Sequence, residues 1–135
     1  MSAISQPNPS KKAAWAVRIL TLLILLSFVP SAIMKLILHP QAVTGFAEMG
    51  IPPEAIIPIG VVELLCLALY LAPKTTILGA VLLTGYLGGA TLANIVGGND
   101  FIHALVIGVL VWAAEWFRVP EIQRLIPIRK TEPRA

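Results

Sequence analysis

The stretch AIIPIGVVELLCLALYLAPKTTILGAVLLTGYLGGATLANIVGGN, Ala55 to Asn99, decides the fold. It holds two long apolar runs, Ala55–Ala72 and Thr75–Val96, separated by Pro73 and Lys74 and closed by Gly97, Gly98 and Asn99. Proline cannot donate the amide hydrogen that continues a helix, and Gly-Gly-Asn is turn chemistry, so each run reads as its own helix. A helix crosses a membrane with about 20 apolar residues, in a range of roughly 17–25. Both runs fit that length. The first carries one charge, Glu63, and a mid-span charge costs roughly +2.5 to +3.5 kcal/mol on an insertion scale. Its ten Ile, Val and Leu residues from Ile56 to Leu71 offset this, at about 0.3 to 0.6 kcal/mol each.

Working outward, an apolar run from Ala13 to Leu38 precedes this pair and a run from Phe101 to Phe117 follows it. The earlier run is longer than the 7–15 apolar residues of a cleaved signal and no small-residue cleavage site follows, so it reads as a retained helix. Between them, residues 39–53 hold Pro40, Gly45, Gly50, Pro52 and Pro53, which exclude one continuous helix; a loop with a short turn around Val43 to Met49 is expected. Arg118 and Pro120 end the last run. The expected organisation is a disordered lead over residues 1–12, a transmembrane domain over 13–119 with spans near 13–38, 55–72, 75–96 and 101–117, and a basic tail over 120–135. The fold class is all-α, a bundle of four transmembrane helices.

Composition agrees. The 135 residues are 57% hydrophobic and 13% charged, with a mean hydropathy of +0.85. Soluble domains carry about 25% charge, and a chain this short buries too small a fraction of its surface to hide so much apolar area from water. Lipid is the consistent solvent. The net charge of +3 comes without aromatic-basic interleaving, so membrane orientation accounts for it and nucleic acid does not. With four spans, Lys11, Lys12, Arg18, Lys74, Arg118, Arg124, Arg129, Lys130 and Arg134 fall on one side, while only Lys35 falls on the other, beside Glu48, Glu54 and Asp100. That bias places both termini in the cytoplasm. Trp15, Trp112 and Trp116 lie near the same ends, where interfacial aromatics belong. Cys66 is the only cysteine, so no intrachain disulfide or CxxC pair exists, and it reads as a packing residue.

Helices in lipid associate through small residues that let backbones approach. Gly85, Gly88 and Gly89 supply such a surface, with Gly85 and Gly89 as a GxxxG pair; they are expected to pack within the bundle or to form a seam with a second copy. Ser27, Ser31 and Lys35, at i, i+4 steps, share one face of the first helix. Pro30 is expected to kink it. Ionisable groups within a membrane face the bundle interior and mark function by default. At 1.5 Å per residue, Glu63 lies roughly 12 Å below the outer surface and Lys35 roughly 5 Å. Thr91, Asn94 and His103 belong to the same outer half. Lys35, Glu63, Thr91, Asn94 and His103 are therefore the candidate lining of one outward-facing polar pocket. Two plainer readings stand beside it: a protonated Glu63 hydrogen-bonded for packing, and a Glu63–Lys35 pair that only fixes helix positions. Glu115, three residues before Arg118, is expected to form a surface pair. His39 and His103 have no metal-ligand spacing, and no metal is expected. GxSxG, P-loop, GxGxxG and HExxH motifs are all absent, so catalysis by this chain alone is not expected.

The chain resembles the DoxX-like family of small four-helix membrane proteins. The likeness rests on SAIMKL (Ser31 to Leu36), Glu63, YLAPKTTILGAVLLTGYLGGA (Tyr70 to Ala90), VWAAEWFR (Val111 to Arg118) and IQRLIP (Ile122 to Pro127). The family's helix-one pattern usually reads SGxxKL; Ala32 stands here in place of its glycine. The resemblance implies a bacterial inner membrane and an accessory subunit linked to quinone or thiol redox chemistry, with a quinone as the cofactor it suggests and a redox protein as partner. The alternatives are a small-solute or proton-coupled carrier, against which stands the lack of an inverted repeat, and a purely structural scaffold.

Overall fold

The computed structural model describes residues 10–125. Most of the expected lead (residues 1–9) and of the basic tail, with Arg129, Lys130 and Arg134, lies outside the described residues. Six α-helices follow in order: α1 Lys11–Leu36, α2 Pro40–Glu48, α3 Ile56–Leu71, α4 Thr76–Val96, α5 Ile102–Arg118 and α6 Pro120–Leu125, with a 3-10 turn at Pro53–Ala55 before α3. The described residues contain no strand.

Local chemistry sets the boundaries. Ser10 caps α1 by accepting from the Ala13 amide at 3.2 Å, which draws Lys11 and Lys12 into the first turn, two residues earlier than the apolar run alone suggests. The helix is continuous through Pro30. It ends where Leu38 adopts φ +50°. The segment read as a loop instead contains the nine-residue α2. Its prolines do not forbid this: Pro40 occupies the first helical position, where a missing amide hydrogen is no loss, and Pro52 and Pro53 fall beyond the end. His39 caps it through Nδ1, which accepts from the Gln41 amide at 3.3 Å. Gly50 at φ +70° then turns the chain.

Four long helices form a closed ring, α1 against α3 and α5, and α4 against α3 and α5. Among the described residues, three segments are long and apolar enough to cross a membrane: Lys11–Leu36, Pro53–Leu71 and Thr76–Val96. The 17-residue α5 sits at the lower limit of that length. Ile24, Phe28, Tyr70, Leu83, Ile107 and Val111 fill the centre, while Leu22, Leu26, Leu65, Val81, Leu92, Leu105 and Val109 are exposed on the outside. So large an exposed apolar surface suits a lipid surround.

The tightest approach is between α3 and α4. Thr75 donates its hydroxyl to the Leu69 carbonyl at 2.8 Å across the connecting turn, and a Cβ placed on Gly79 would lie 2.2 Å from the Tyr70 nitrogen. Only glycine fits there. Gly60 plays the same part between α3 and α1, where a Cβ would lie 2.9 Å from that of Lys35. The close-packing role expected of Gly85, Gly88 and Gly89 thus falls elsewhere within the chain: a Cβ on any of the three meets nothing within 4 Å.

Candidate functional site

The ring is not filled along its whole length. Around the C-terminal part of α1 and the N-terminal part of α3 it leaves an open cavity of about 540 Å³. α1 contributes Ser27, Phe28, Ser31 and Lys35; α3 contributes Ile59 and Glu63. Gly85, Tyr86, Gly89 and Asn94 come from α4, His103 and Ile107 from α5, and Phe46 and Met49 from the region of α2, with Asp100 also lining it.

At its heart Lys35 Nζ lies 2.8 Å from Glu63 Oε2. Lys35 is 8% exposed and Glu63 1%, so each depends on the other: an unpartnered charge at this burial is far costlier than a paired one. The ammonium also donates to Ser31 Oγ, one turn back on its own helix, and lies 5.9 Å from the Phe46 ring centroid, within cation–π range. Tyr86 stands beside the Glu63 carboxylate, and its ring packs against Phe28 at 6.2 Å between centroids, tilted by 55°. Two turns back along α1 from Lys35, Ser27 Oγ and His103 Nε2 are 2.8 Å apart, linking α1 to α5.

Of the residues singled out from sequence, Lys35, Glu63, Asn94, His103, Ser27 and Ser31 line this one cavity. Thr91 is not among the lining residues. Its hydroxyl donates to the Leu87 carbonyl at 2.7 Å, the back-bond a threonine makes to its own helix. Asn94 likewise donates to its own helix, at Ala90 O, 2.9 Å away. Gly85 and Gly89 line the cavity where a packing surface was expected. Tyr86, Phe28 and Phe46 escaped the sequence reading because an aromatic within an apolar run looks like core; the signal available was that Tyr86 falls beside Gly85 and Gly89 on one helix.

A second polar cluster occupies the other end of the ring. Arg118 Nη1 lies 2.9 Å from Glu115 Oε1 and donates to Thr76 Oγ1 at 2.7 Å, while Nη2 donates to Thr21 Oγ1 at 2.9 Å. Thr76 donates in turn to Glu115 Oε1 at 2.6 Å, and the guanidinium stacks over Tyr70 at 4.9 Å. The cluster ties all four long helices together. The expected surface pair is therefore corrected: Glu115 pairs with Arg118, but it is fully buried, because the Thr21, Tyr70 and Thr76 side chains close over it.

The sequence model of the DoxX-like family matches residues 19–116, which takes in Lys35, Glu63 and most of the described chain and stops short of Arg118. The chain belongs to the DoxX-like family. Neither a curated protein nor a solved structure matches it.

Proposed function

We propose that this member of the DoxX-like family crosses a bacterial inner membrane four times, with both termini in the cytoplasm, and holds a small polar-headed ligand in the Lys35–Glu63 cavity as an accessory subunit of quinone or thiol redox chemistry. The observation that carries the reading is a buried ion pair bordering a cavity of about 540 Å³ rather than packed side chains. A pair that served only to fix helices has no need of the space. Pockets of roughly 300–1,000 Å³, mostly apolar with a few convergent polar groups, are what small ligands occupy.

Support for the fourth span is that α5 packs against both α1 and α4 and exposes Ile102, Leu105, Val106 and Val109 outward, as a lipid-facing helix does. Support for the orientation is the basic bias: Lys74 and Arg118 flank the cluster opposite the cavity. The cavity then faces outward. A binding role is favoured over a carrier because the Arg118 cluster ties the four helices together at the cytoplasmic end.

The test is reconstitution of wild type and Glu63→Gln in lipid, with binding of a water-soluble quinone analogue as the readout. Loss of the carboxylate frees Lys35 from its partner and alters the polar wall, so affinity falls roughly tenfold, in line with a lost hydrogen bond to a charged group. Equal affinities would remove Glu63 from the role.

A further inference from the structure

The segment that joins the first two long helices is built unlike the rest of the bundle. α2 is nine residues long and buries none of them, and it packs against α1 and the Pro53–Ala55 turn. So short a helix has little stability of its own. A segment with few buried apolar contacts is also where local opening costs least. A sharp turn stands on each side of it, Leu38 at φ +50° and Gly50 at φ +70°. Among the described residues Leu38 alone adopts a positive φ without being glycine, a geometry that side chains such as leucine rarely take; Gly50 takes it freely.

Phe46 and Met49, with Ile51 just beyond, line the cavity, so this segment walls it at the end where α1 finishes and α3 begins. Phe46 stands 5.9 Å from the Lys35 ammonium. Met49 reaches across to the turn between α4 and α5: a Cβ on Gly97 would lie 2.9 Å from Met49 Cγ and 3.3 Å from its Cα. Bare backbone at Gly97 is what lets Met49 seat there. A second face of α2, with Gln41, Thr44 and Glu48 at helical spacing, borders a further gap beside Asn99. The segment thus bridges from α1 to the far turn with space on two faces, held there by a ring–cation contact and one methionine.

We propose that α2 is a hinged lid on the cavity, closing on Gly97 through Met49 and on Lys35 through Phe46, and swinging on Leu38 and Gly50. The lid rests on the cavity and not on the ligand proposed for it, because access is a property of the chain itself. The closeness of Met49 and Gly97 supplies a lock. In a Cys66→Ser background, Met49→Cys with Gly97→Cys brings two thiols within disulfide reach, since bridged Cβ atoms lie about 3.5–4.5 Å apart. Ser27→Cys adds a reporter thiol on the cavity wall, farther along α1 from the lid. The reference chain carries the same reporter with Met49→Ser and Gly97→Ser, which cannot cross-link.

Both full chains in lipid nanodiscs are oxidised and treated with a water-soluble maleimide, and labelling at position 27 is followed by peptide mass spectrometry. The cross-link forms, and the locked chain labels roughly tenfold or more slowly than the reference, because the open population that admits the reagent is removed. Equal rates, or a cross-link that does not form in the folded chain, overturn the lid and leave the ligand-site reading untouched. Should the cross-linked chain fail to fold, Phe46→Ala beside Ser27→Cys decides. Widening the mouth in that variant speeds labelling several-fold, and an unchanged rate overturns the lid.

Discussion

The two ends of the bundle carry the same chemistry in opposite surroundings. Each has one basic and one acidic side chain held in contact, Lys35 with Glu63 at 2.8 Å and Arg118 with Glu115 at 2.9 Å. Around Arg118 the donors are spent on Thr76, Thr21 and the Tyr70 carbonyl, so the pair is knitted into every long helix. Around Lys35 the neighbours are Ser31, an aromatic face and an open cavity. What separates the two ion pairs is the use made of the remaining donors and the presence of space.

If that contrast is right, Arg118→Met is the more damaging of the two simplest deletions. It strands Glu115, which has no exposure, and removing one partner of a buried pair costs about 3–5 kcal/mol. Lys35→Met strands Glu63 beside a cavity of about 540 Å³ rather than among packed side chains, so its cost is expected to be smaller. Unfolding titrations of both variants in mixed micelles check the order; equal losses would erase the distinction.

A subtler contrast sets the glycines against each other. Gly79→Ala drives a methyl group to within 2.2 Å of the Tyr70 backbone, where no side chain can move aside, and destabilises by about 1–3 kcal/mol or more. Gly85→Ala meets open space and stabilises by about 0.5–1 kcal/mol through helix propensity alone. The same titration reads both, and a loss at Gly85 would return it to the packing surface.

The glycines also show how far sequence reaches. A GxxxG spacing says that backbone is bare on one helical face; it does not say whether a neighbour or a void lies against that face. Gly79 follows the short turn that brings α4 back alongside α3, and the nearness of that turn was the usable cue. The long apolar helices, their order and the charges within them were legible because apolar length and isolated ionisable residues are one-dimensional signals. Depth left a Lys35–Glu63 pair as one of three open readings, and the structure places the two side chains 2.8 Å apart. Depth did not place Thr91, because a residue at the right height can point along its own helix, nor did it reveal that Glu115 is buried, since an Arg three residues later also describes a surface pair. The α2 helix was hidden by its prolines, which mark boundaries as readily as they break interiors.

The proposed function requires a cavity that opens to the outer face only. In a Cys66→Ser background, Ser27→Cys places a thiol on the cavity wall and Thr21→Cys places one within the Arg118 cluster. A membrane-impermeant maleimide added to intact spheroplasts is expected to label position 27 and spare position 21. Labelling at position 27 only after the cytoplasmic face is exposed would contradict the orientation and the cavity's access together.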